Sequence, residues 1–181
     1  MKKLDRLGEW PSDRVLKILL VISIILSVFF TLIMSIPRDL SGFPANYVVP
    51  SEVCFSGPFL KALYAFITNL PAYIIFQILD FGFMVGYGLL IFTLALIIGR
   101  GFDDGTTWRK SGYIIAISGI IAAGCDVGEN TFIMLTLTDP LNFPDIWAIF
   151  QSTFSVVKWV LIIVALMWAI IAVITKLVKK G

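Results

Sequence analysis

Gly119-Ile120-Ile121-Ala122-Ala123-Gly124-Cys125-Asp126-Val127-Gly128-Glu129-Asn130-Thr131-Phe132-Ile133 is the stretch that decides the fold. It lies inside an apolar run from Gly112 to Thr138. That run exceeds the ~20 residues a helix needs to cross a bilayer. Only a helix or a closed barrel satisfies its backbone there. Yet Asp126 and Glu129 stand in mid-run, where each charge costs about 2.5–3.5 kcal/mol. The segment therefore reads as a membrane helix that carries a polar site.

Working outward, three further runs have the same character: Arg14–Ile36, Pro71–Gly99 and Ile146–Lys176. Asp80 interrupts the second span and Lys158 the fourth. Boundary residues fit helix ends. Ser12-Asp13 caps the first, Pro37 is expected to stop it, and Pro71 suits the first turn of the second. Asp139-Pro140 closes the third and Pro144-Asp145 opens the fourth. The expected fold is an all-α integral membrane protein, a four-transmembrane-helix bundle forming one membrane domain over residues 1–181. Composition agrees: 59% of 181 residues are apolar and 14% charged, with a mean hydropathy of +0.95. A soluble domain is about half apolar and a quarter charged.

Lys and Arg set the expected orientation. The N-terminal flank (Lys2, Lys3, Arg6, Arg14, Lys17), the second loop (Arg100, Arg109, Lys110) and the C-terminus (Lys176, Lys179, Lys180) carry eleven; the first and third loops carry Arg38 and Lys61. Both termini are therefore expected in the cytoplasm, in a multi-pass protein of the cell membrane. The run from Val15 to Ile36 is too long for a signal-peptide core and reads as a retained span. The longer first external loop, Pro37–Leu70, is turn-rich and then apolar from Phe59 to Ile67, which predicts a short interfacial helix. Four spans with a longer first loop resemble the outline of claudin-like proteins. Their Trp and paired Cys in that loop are absent here, so no residue role is carried over.

Helical spacing sorts the polar residues. Tyr73, Gln77, Asp80, Met84 and Tyr87 share one face of the second span. Asp126, Glu129 and Asn130 share a face of the third, and Gln151, Ser155 and Lys158 line up on the fourth. At a rise of about 1.5 Å per residue, Asp126 falls near the midplane, Glu129 about 6 Å outward, Asp80 roughly 7 Å and Lys158 roughly 4 Å. One slab of the membrane thus gathers them. The candidate ligand- or ion-binding residues are Asp80, Asp126, Glu129, Asn130, Lys158, Gln77, Gln151 and Ser155. Three carboxyls against one ammonium require a shared proton or a bound cation. Which carboxyl pairs with Lys158 is open at this level. Ser23, Ser27, Thr31 and Ser35 on the first span are expected to bond back to their own helix.

Several classes drop out. Histidine is absent, which removes His-ligated metals and Ser-His catalysis. No P-loop, glycine-rich nucleotide fingerprint or zinc motif occurs, so neither cofactor nor metal is expected. A net charge of +2 without basic motifs speaks against nucleic acid. Cys54 and Cys125 are too few for a framework and are expected to stay unbridged.

Three functions fit. The first is binding of a small cation or proton in transport, by a homo-oligomer, because four spans are few for a lone transporter. The second is a pocket for an amphiphilic or lipid-like molecule, with or without carboxyl acid/base catalysis, and with Phe59–Ile67 as its lid. The third is an accessory subunit of a larger membrane complex. Membrane lipids are partners in all three.

Overall fold

A computed structural model describes residues 6–178; Lys2, Lys3, Lys179 and Lys180 of the charge count lie outside that range. Among the described residues there is no strand. Six α-helices follow in order: α1 Asp13–Ser41, α2 Val48–Glu52, α3 Gly57–Tyr64, α4 Leu70–Arg100, α5 Thr107–Thr136 and α6 Asp145–Val178. Four of them (α1, α4, α5, α6) are long and apolar enough to cross a membrane. Their starts are capped as the side chains dictate: Ser12 accepts from Val15 N, Asn69 from Ala72 N and Thr106 from Arg109 N.

Pro37 does not stop the first helix. α1 runs another turn to Ser41, and Gly42 ends it with a left-handed φ of 78°. A proline inside a helix costs roughly 3 kcal/mol. Tertiary anchoring of the last turn offsets that cost. Met34, Pro37 and Ser41 are buried there, and the Ser41 carbonyl accepts from Thr68 N at 2.9 Å and Asn69 N at 3.2 Å.

The long helices pack as a row, with α4 between α1 and α5, and α5 between α4 and α6. Gly86 allows α1 to approach α4 closely: a Cβ there would lie 2.9 Å from Ser27 N. At one end, which we call the terminal end, Arg100 donates to the Leu7 and Pro11 carbonyls and pairs with Asp13 at 2.9 Å. Next to it lies an apolar core of Leu16, Ala95, Leu96, Tyr113, Ile115, Ala116 and Ala165. At the other end, the loop end, α3 packs into a second core through Leu60, Leu63 and Tyr64. Lys61 ties α3 to Asp145 at 2.6 Å. Burial pushes the Tyr64 phenol well above its usual pKa range, so it remains a neutral hydrogen-bonding partner of Thr136 at 3.0 Å.

The short helix foreseen at Phe59–Ile67 is present as α3, shifted toward the N-terminus, and a second one, α2, precedes it. Both cysteines are free. Three hydroxyls of the α1 stripe bond back to their own helix: Ser23 to Leu20 O, Thr31 to Ser27 O and Ser35 to Leu32 O. Two apolar cores thus enclose the level at which the ionisable residues lie.

Candidate functional site

Lys158 organises that level. It is 6% exposed on α6, and its Nζ lies 2.6 Å from Glu129 Oε2, 3.0 Å from Asp126 Oδ1 and 3.6 Å from Glu52 Oε2. Asp126 and Glu129 stand three residues apart on α5, so one helical turn presents both to the same ammonium. Gly128 lies between them. A Cβ there would lie 2.9 Å from the Phe154 ring, so its absence lets α5 and α6 come close enough for short carboxylate side chains to reach Lys158. The partner left open by the sequence is therefore a set of three carboxyls rather than one.

Asp126 and Glu52 are held further. Tyr87 Oη donates to Asp126 Oδ2 at 2.8 Å and lies 3.2 Å from the Ala122 carbonyl. Glu52 Oε2 accepts from Trp159 Nε1 at 2.9 Å and from Ser155 Oγ at 3.3 Å. Asp80 Oδ2 accepts from Asn130 Nδ2 at 2.7 Å. Glu129 is 1% exposed, and its Oε2 has the Lys158 contact without an aligned hydrogen bond. Three carboxyls therefore surround one ammonium, and Asp80, expected among them, faces Asn130 and the neighbouring cleft instead. Protons or a further cation must balance the surplus, because unpaired buried charge is too costly.

The other candidates serve the loop as much as the cluster. Gln151 donates to the Ser51 carbonyl at 3.0 Å, and Ser152 Oγ accepts from Phe55 N at 3.0 Å. With Ser155, they turn the polar stripe of α6 into a seat for α2 and the residues after it. Gln77 is 5% exposed and lies on the wall of a cleft.

That cleft has a volume of about 260 Å³. Its inner wall carries Asp80, Asn130, Gln77 and Tyr73, with Glu52 and Ser51 contributed by α2. Met34, Phe76, Phe83 and Ile133 supply apolar surface. Thr31, midway along α1, and Ala45 are exposed at its edge, so it opens sideways between α1 and the segment leading to α2. The lid foreseen from Phe59 to Ile67 does not line it; Ala45, Val48, Ser51 and Glu52 do.

Sequence reasoning missed Glu52, which joins the cleft to the Lys158 cluster. An acidic residue in a turn-rich loop is ordinarily solvated. The available signal was its setting between Val48-Val49 and Val53, an apolar stretch in which a carboxylate needs a partner. Trp159, in mid-span on α6, donates to that same carboxylate. Among the described residues, no group of three His, Cys, Asp or Glu side chains is placed to hold a metal ion. Lys158 itself lies among the carboxyls, where an ion would otherwise bind.

The chain is thus a multi-pass, all-helical membrane protein with a buried Lys–Asp/Glu cluster. No protein-family model, curated protein or solved structure matches it.

Proposed function

We propose that the cleft binds an amphiphilic or lipid-like molecule, its polar head at Asp80, Asn130, Gln77 and Glu52 and its apolar part leaving past Thr31 toward the lipid. The observation that carries this reading is that the cleft has a polar inner wall and reaches exposed Thr31 and Ala45 at its edge. Toward the terminal end, the buried residues are the apolar set around Leu96 and Ala116. The buried hydroxyls there bond their own helices: Thr93 to Leu89 O and Leu90 O, and Ser118 to Ile115 O. A continuous polar path across the membrane finds no support in that half. Lys158, Asp126 and Glu129 then act behind the cleft as a neutralising frame, and Gln151 and Ser155 hold α2 in place.

A carboxyl on an apolar wall also suits acid/base chemistry on such a ligand. Proton or cation transport by an oligomer is the second reading, favoured by the surplus of carboxyls over Lys158. In either reading the distribution of Lys and Arg puts both termini in the cytoplasm.

The test is thermal unfolding of the purified protein against a panel of lipids and single-chain amphiphiles. A ligand at a hundred times its Kd stabilises by about 2.7 kcal/mol. We expect saturable stabilisation that Ser35→Phe, which fills the cleft, removes. Stabilisation by no member of the panel, or stabilisation unchanged in Ser35→Phe, contradicts the proposal. Ion-gradient-dependent flux in proteoliposomes that Asp126→Asn abolishes would favour transport instead.

A further inference from the structure

The amphiphile reading, on which this inference rests, leaves the head group unspecified; we propose that it is a cation, an alkylammonium, seated against Asp80. Charge bookkeeping within the site points there. Lys158 lies with Asp126 and Glu129 behind the cleft, not on its wall. Among the described residues Asp80 makes no ion pair, and its one hydrogen bond comes from the neutral Asn130 amide. A half-buried carboxylate that faces a cavity and has no ion-pair partner favours a cation beside it.

Independent features of the wall fit the same head group. Tyr73 and Gln77 are 2% and 5% exposed, line the cleft, and hydrogen-bond to no other helix among the described residues. The contacts of Glu52 to α6 all fall on Oε2. Phe76 and Phe83 add ring surface, and the face of an aromatic ring attracts an ammonium through its quadrupole. The opposing charge is Arg38, which also lines the cleft and is paired with Asp39 at 2.9 Å. An anionic head would have to seat at Arg38, away from Asp80 and Glu52.

Three probes with the same tail separate these outcomes: dodecyltrimethylammonium, dodecanol and dodecyl sulfate. Their affinities are measured by calorimetry on the full chain in a nonionic maltoside detergent. We expect the ammonium to bind at least about tenfold more tightly than dodecanol, a difference typical of one desolvated charge pair. Asp80→Asn should remove that preference while leaving dodecanol binding intact. Asp80→Glu should restore it in part, and Asp103→Asn, in the exposed loop at the terminal end, should leave it unchanged. Equal binding of ammonium and alcohol, or preference for the sulfate, overturns the cationic head but keeps the amphiphile pocket. Absence of binding for all three overturns the pocket itself. If Asp80→Asn does not fold, the ranking of the three probes on the unaltered protein still decides between these outcomes.

Discussion

Between Arg100 and Leu96 the protein is held by contacts that any lipid-soluble bundle would make, and around Lys158 it is held by charges that most such bundles avoid. In the terminal half Leu16, Leu96 and Ala116 are fully buried, and polar side chains such as Thr93 satisfy themselves on their own helix. In the loop half Lys158, Asp126, Glu129 and Glu52 satisfy one another across three different elements. The first arrangement tolerates change locally, because each side chain depends on its immediate packing. The second does not, because removing one charge leaves the others buried without partners. The terminal half supports the helices, and the buried charges that contact one another are concentrated in the loop half.

The sharpest way to break this contrast is Lys158→Met. Three carboxyls would remain around a neutral side chain, and we expect a loss of about 3–5 kcal/mol, read from thermal or denaturant unfolding in detergent. Leu96→Ala should follow, costing about 2–4 kcal/mol through the cavity left in a fully buried position. Its effect should be confined to stability, with ligand binding at the cleft unchanged once the protein is folded. The smallest effect is expected for Thr93→Val, within about 0.5 kcal/mol, since the hydroxyl bonds only its own helix. A Lys158→Met variant as stable as Thr93→Val would mean that the charges are not coupled as their distances imply.

The spans were legible because each is an apolar run with its own caps and breakers, and local signals of that kind need no tertiary information. Pro37 shows where such signals fail. Its local preference to end a helix was outweighed by burial of Met34 and Ser41 and by the bonds from Thr68 and Asn69, all of which depend on distant chain. The membership of Asp126, Glu129 and Lys158 in one level followed from helical rise alone. The neighbourhood of Asp80 and Asn130 followed likewise from the faces they occupy, though their 2.7 Å contact did not. Glu52 escaped because its place depends on how a loop folds back onto α6, and no period runs through a loop. Gln151 and Ser155 were assigned to the right stripe, but their contacts with Ser51 and Glu52 could only emerge once that loop was in place.

By itself the sequence determined that this chain crosses the membrane, that ionisable residues share one depth within it, and that their charges are unbalanced. Those properties depend on composition and on the regular geometry of helices. Tertiary structure alone decided that α2 closes over the cluster through Glu52, that three carboxyls face Lys158 while Asp80 faces a cleft, and that the cleft opens sideways at Thr31. These depend on which helices pack side by side and on where a loop returns, contacts between residues far apart in the chain that no local pattern encodes.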